Sequence, residues 1–557
     1  MLLVALVLGV SGGFFPQLAA AEDVKPMLTV SFAGYDEVRA NLETIGKLGG
    51  NPNLASFLEG MLNMMTQQKG LVGLDKKAPW GAVVQLAEGA PPSGFGFMPI
   101  SDLKQFMEVV KNSPVGAGIT EKDGVYEFVN PSGETLYIAQ RGKHAVIAQD
   151  KAALDEVPSD PEKLLGDLPQ KYLVAVQVTV KNIPEAQREM ALGLISMSLQ
   201  AGMQRMEDET DEQFALRERT NKRSMEQMTM AVKETEQVVL GLNIDRKSNK
   251  VTLDLEVLGQ EGSKWAAELS KAKPGKTNIA GVDLPEAAVI ANSAGTMTDE
   301  DVANAKDSLE VLRDRLAAEV AKQELTEEQM KLVNEMLADA LSIAQKNLET
   351  KKTDAGMALC LNPSAVTLVA GATVVDGKPI EDLVKKFIDA VKAEEPALAD
   401  MAKLNAETYK GIRFHTFSMP TPDEAAEVKP FIGDTIDVVL GVGDTQAYLA
   451  AGRDAAKILK QVIDKSQAEK DKDVLPFQMS ISVLQLAKFA AAVAPEEDAK
   501  AQAQMVANML EQSSGKDHVL VSGQSVTNGM KIHVELEEGF LKLLGEQTKS
   551  MGGAGGQ

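Results

Sequence analysis

The sequence predicts an α+β protein of two tandem homologous domains, each a mostly antiparallel sheet packed with amphipathic helices. Three observations carry this prediction. A chain of 557 residues has room for several cores, at roughly 100 to 200 residues per domain. Stretches of its two halves repeat the same order of strand and helix signals. Each half also closes on a strand that alternates strictly, Val251, Leu253, Leu255 and Val257 in one and Ile532, Val534 and Leu536 in the other, so one sheet face is buried and the other wet.

Taken in order, residues 1–21 read as a signal peptide: an apolar run from Leu2 to Phe15, then Ala19, Ala20 and Ala21 as the cleavage site. The run is 14 residues long, short of the roughly 20 a membrane-spanning helix needs. No Lys or Arg precedes it, so the start codon is expected upstream of Met1. The mature chain is expected in the periplasm or secreted, with no transmembrane segment.

The first domain is expected over 22–275. Met27 to Leu48 reads as a strand, Gly34, then a helix, and Ala288 to Leu312 repeats this around Gly295. Ala82 to Leu86 parallels Met357 to Leu361, and helices at Ile100 to Lys111 and Ile380 to Lys392 follow. ETLYIAQRGKHAVIAQDKAAL, from Glu134, has its counterpart in DTIDVVLGVGDTQAYLAAGRDAAKIL, from Asp434. Each is a hairpin turning at Gly142 or Gly443, followed by a helix that Asp150 or Asp454 is placed to cap. Strand-to-helix units at Tyr172 to Ala186 and Leu475 to Ala491 come next. Closing hairpins turn at Lys247 to Asn249 and at Asn528-Gly529. The second domain is expected over 276–548 and a flexible Gly-rich tail over 549–557. The halves differ in helical inserts, Pro184 to Glu236 with EDETDE as an elbow, and Thr326 to Leu348. Thr298 with Asp301, and Thr326 with Gln329, stand at capping-box spacing.

Composition excludes several functions. A net charge of −23 and a pI near 4.8 oppose nucleic-acid binding, which needs a basic face. Cys360 is the only cysteine, so there is no intrachain disulfide, thiolate zinc site or iron–sulfur cluster. It lies in an apolar strand and reads as a small buried hydrophobe. His144, His415, His518 and His533 are far apart in sequence and fit structural or surface roles, with His533 on the wet face of its strand. The chain holds no nucleophile elbow, and Gly441 with Gly443 reads as turn chemistry rather than a phosphate cradle. No catalytic, metal or cofactor-binding residue is assigned.

Methionine stands out, with 25 in the chain. Met190, Met197, Met203, Met206, Met225 and Met228 recur at helical spacing and form the candidate apolar binding surface, since thioethers adapt to varied apolar partners. Ordinary helix packing is the plainer reading of the same spacing.

Through the opening KPMLTVSFAGYDEVRANLETIGKLGGNP and the repeated strand–helix units, the chain resembles a group of uncharacterised exported proteins of planctomycete-type bacteria. The resemblance implies an exported soluble protein and supplies no active-site motif. The sequence therefore points to a non-enzymatic exported protein that binds an apolar or lipid-like small molecule or an envelope protein. The alternatives are a structural scaffold of the cell envelope and a hydrolase whose site is assembled from distant residues.

Overall fold

The computed structural model describes residues 25–543, apart from 87, 89–91, 114–117, 130–132, 202–204, 206–210, 323–324, 363–364, 395–400, 422–428 and 514. The signal-peptide and tail assignments lie outside the described residues, as do Met203, Met206 and most of EDETDE. Chain contacts divide the molecule into two units. The first takes the described parts of Met1–Ser196, Met228–Ala267 and His533–Gln557, and the second those of Met197–Gln227 and Glu268–Ile532.

Strands of the first unit are rich in the β-branched and aromatic residues that fit a pleated, half-buried surface. They are β1 (Pro26–Phe32), β2 (Trp80–Gln85), β3 (Ser93–Pro99), β4 (Thr120–Lys122) and β5 (Val125–Val129). Then come β6 (Thr135–Arg141), β7 (His144–Ala148), β8 (Val174–Val178), β9 (Thr235–Asp245) and β10 (Lys250–Gly259). All pair antiparallel, in the order β4-β5-β6-β7-β3-β2-β1-β8-β9-β10. The β9–β10 turn is where the sequence placed it: Asn249 sits at φ 56°, and Asp245 accepts bonds from the Lys247 amide and the Ser248 hydroxyl. The helix Leu103–Lys111 is capped by Asp102, which accepts from the Gln105 amide at 3.0 Å. Its apolar face lays Leu103, Phe106 and Met107 against Tyr126, Phe128 and Leu136.

The second unit's strands begin with β11 (Gly275–Thr277), which spans the boundary expected between residues 275 and 276. They continue with β12 (Ala287–Thr296), β13 (Lys352–Asn362), β14 (Ala365–Thr373), β15 (Ala402–Tyr409) and β16 (Ile412–Pro420). The rest are β17 (Thr435–Val442), β18 (Gln446–Gly452), β19 (Lys472–Val474), β20 (Phe477–Ser482), β21 (His518–Val526) and β22 (Gly529–Leu536). β11 pairs with β19 alone. Apart from β22, whose residues from His533 on belong to the first unit, the others pair antiparallel in the order β15-β16-β17-β18-β14-β13-β12-β20-β21. Position for position, this is the first unit's order from β4 to β9.

Helices Asp299–Ala321 and Glu327–Glu349 start on the expected capping boxes, with Thr298 and Asp301, and Thr326 and Gln329, exchanging both bonds. Both expected Asp caps are corrected. Asp150 stands two residues before Ala152, the cap position of the helix Ala153–Glu156, and accepts from the Ala152 amide rather than from the first helical turn. Asp454 precedes the helix Ala455–Ala468 in a left-handed conformation, φ 61°, and its side chain makes no capping bond. The extended backbone that normally directs a capping oxygen at the first turn is missing there. This helix packs Leu459, Val462 and Ile463 onto Val369, Phe414 and Ala450 of the sheet, and that layer is the second unit's core.

Candidate apolar binding site

Side chains alternate along each strand, so the second unit's sheet has a face opposite its core. On the core side lie Ala358, Cys360, Val369, Tyr448 and Ala450. Directly paired residues build the other face in rows. One row runs Met479, Ala291, Met357, Ala370, Leu449 and Leu440. The next runs Ser293, Ala355, Ala372 and Ala447. Above these alanines opens a pocket of about 490 Å³, walled by Met357, Leu440, Leu449 and Phe477. Its walls are wet: Met357 is 38%, Leu449 39% and Phe477 42% exposed, high for large apolar side chains beside a sheet. No charged residue lines it, and the Ser293 hydroxyl is engaged, donating to the Pro476 carbonyl at 2.9 Å. The volume lies within the usual range of small-molecule sites, about 300 to 1,000 Å³.

The first unit shows why the pocket is open. Phe32 and Ser293 both precede an Ala-Gly pair, Ala33-Gly34 and Ala294-Gly295. Phe32 pairs with Trp80 as Ser293 pairs with Ala355. The neighbouring pairs confirm the register, since Ser31 faces Gly81 and Asn292 faces Gly356. One strand on, Gly81 faces Phe97 and Gly356 faces Gly371, so Met98 stands where the second unit has Ala372. Phe32 and Trp80 stack with ring centroids 4.0 Å apart and planes 7° apart, and Met98 packs against them. Two aromatic rings and a thioether are thus replaced by a hydroxymethyl and two methyls.

None of the sequence-selected methionines among the described residues lines this pocket. Met190, Met197 and Met228 are exposed and Met225 is half-buried. Met190 and Met197 share the helix Glu185–Ala201 with the exposed Leu194, three apolar residues at i, i+4 and i+7. The pocket residues escaped selection because alanine and serine carry no chemical signal. Only the contrast between Phe32 and Ser293, already present in the repeat, marked them.

Cys360 is buried, as its strand context implied, and burial pushes its thiol up to about 11. His533 departs from expectation. Rather than facing water freely, it is half-buried with Nδ1 2.6 Å from the carboxylate of the buried Asp254. Tyr172 lies over Gly241, and burial followed by the neighbouring Asp254 charge raises its phenol far above the ordinary value. A buried carboxylate flanked by an imidazole and a phenol is compensated rather than isolated.

His144 and His415 are both buried, and desolvation lowers each imidazole below the ordinary 6.5. Glu162 and Asp160 oppose this at His144 while Lys143 adds to it; Glu381 opposes it at His415 while Arg413 adds to it. As pH falls below 6.5, the unfolded chain takes up protons that the folded chain refuses. Stability is therefore expected to drop through that window, by up to about 1.4 kcal/mol per pH unit for each histidine. Denaturant midpoints measured between about pH 7.5 and 5 check this. Replacing His415 with leucine should flatten the profile, and an unchanged slope would assign it to other groups.

Among the described residues, no group of three or more His, Cys, Asp or Glu is placed to hold a metal ion, and no helix is long and apolar enough to cross a membrane. No family model, curated protein or solved structure matches the chain.

Proposed function

We propose that the chain is an exported, non-enzymatic binding protein of two tandem homologous α+β domains, and that it carries an apolar small molecule on the second unit's sheet. The observation that bears most weight is the pocket of about 490 Å³ over Ala355 and Ala372, walled by exposed apolar side chains and free of charge. Water in contact with such a surface is released when an apolar ligand covers it, at roughly 25 cal/mol per Å². The common strand order and the paired Ala-Gly signals support the tandem reading. Export rests on the Leu2 to Phe15 run with its Ala19-Ala20-Ala21 site.

Native mass spectrometry of the chain recovered from its own cells, followed by solvent extraction, tests this. The expected result is a chain beginning at Glu22 with one apolar molecule bound. A bare monomer would sink the carrier reading. An oligomer carrying nothing would favour a second reading, an envelope scaffold, which the exposed Phe57, Met61 and Met64 along the helix Leu54–Met65 support.

A further inference from the structure

We infer that the ligand of the second unit's pocket is an uncharged, planar, polycyclic molecule lying face-down on the alanine floor; this rests on the apolar-binding reading above. The molecule itself shows what fills the equivalent space. In the first unit the corresponding positions hold the stacked rings of Phe32 and Trp80, which are 8% and 4% exposed. Aromatic ring surface is thus what this arrangement of strands packs against when the space is occupied from within.

The floor has the same preference. Ala355, Ala372 and Ala447 are successive partners on adjacent strands, so their methyls form a shallow row at the strand spacing of about 4.8 Å. A ring system buries a whole face on such a row. An alkyl chain needs walls around its circumference, and this pocket is open on one side. Phe477 offers a ring for offset or edge contact, and Met357 a thioether that adapts to a ring edge. Charge is disfavoured because nothing charged lines the site and the Ser293 hydroxyl is already engaged.

The test uses the full mature chain with N-phenyl-1-naphthylamine, a neutral aromatic dye with a planar naphthyl ring system, titrated by fluorescence. Phenanthrene and 1-hexadecanol then serve as planar and chain competitors. Saturable binding at one dye per chain is expected, with displacement by phenanthrene and not by hexadecanol. Restoring the first unit's residues, Ser293→Phe with Ala355→Trp, should weaken dye binding at least tenfold. Ala372→Met, a smaller change at the same floor, should weaken it severalfold and serves if the double variant does not fold. Displacement by hexadecanol alone would overturn the planar ligand while leaving an apolar carrier standing. Dye binding unchanged in folded variants would overturn the site, and no saturable binding of any probe would overturn both readings.

Discussion

Trp80→Ala is expected to destabilise the first unit by about 3 to 5 kcal/mol, the usual cost of emptying a buried aromatic position. Trp80 is almost wholly buried, stacks on Phe32 and belongs to a cluster with Val30 and Met98. Removing it strands the face of Phe32 and leaves space that the rigid strands on either side cannot close. Among the described residues the indole N–H has no hydrogen-bond partner. Part of the loss is therefore returned, because an unsatisfied buried donor disappears with the ring. Trp80→Phe, which keeps a stacked ring and also removes that donor, should cost much less. Trp265, the other tryptophan and also in the first unit, reports the transition by fluorescence, with far-UV circular dichroism as the second probe. A further consequence follows from the repeat. Trp80→Ala makes the first unit resemble the second at this pair, and the variant is expected to gain a second site for the naphthylamine dye. Loss of stability without a second site would mean that the neighbours collapse into the space.

The same pair of positions shows what the sequence discloses and what it hides. Alternation and turn residues locate the strands well, because they are local: Asn249 needs its left-handed conformation whatever packs around it. Capping boxes are local too, and Thr298 and Thr326 cap as their spacing implies. Asp454 fails as a cap because its backbone conformation is set by the chain leaving β18, which the Asp side chain does not report. His533 likewise looks wet from its own strand, and only its approach to Asp254, 279 positions away, makes it part of a buried polar group. The pocket is hidden for a different reason. It consists of side chains that are missing rather than present, and a run such as Ala370, Gly371 and Ala372 reads the same whether it lies under a helix or under solvent. Comparison within the chain supplies the missing reference, since Phe32, Trp80 and Met98 show the volume that Ser293, Ala355 and Ala372 give up.

Gly281→Ala is expected to be strongly damaging to the second unit. Gly281 lies in the turn Ala280–Val282, between Ile279 and Val282, both fully buried in the core. Its amide donates to the Ser466 hydroxyl at 2.9 Å, drawing the turn against the helix Ala455–Ala468. A methyl at this position would stand 1.8 Å from the Val462 carbonyl oxygen and 2.7 Å from the Ser466 hydroxyl. The first of these is backbone, so no rotamer change relieves the clash. The helix must lift by more than an ångström, and Leu459 and Ile463 lift with it off Val369 and Phe414. Overpacking usually costs 1 to 3 kcal/mol, and a forced backbone displacement of this kind belongs at about 3 kcal/mol or above. The loss should appear as a lower denaturant midpoint followed by circular dichroism. Gly60→Ala is the matched control. Its methyl meets nothing within 4 Å, and it sits in the interior of the helix Leu54–Met65. There the same change should stabilise by about 0.5 to 1 kcal/mol through lower backbone entropy in the unfolded chain. Equal effects at the two glycines would show that the turn and the helix are not held as closely as their geometry requires.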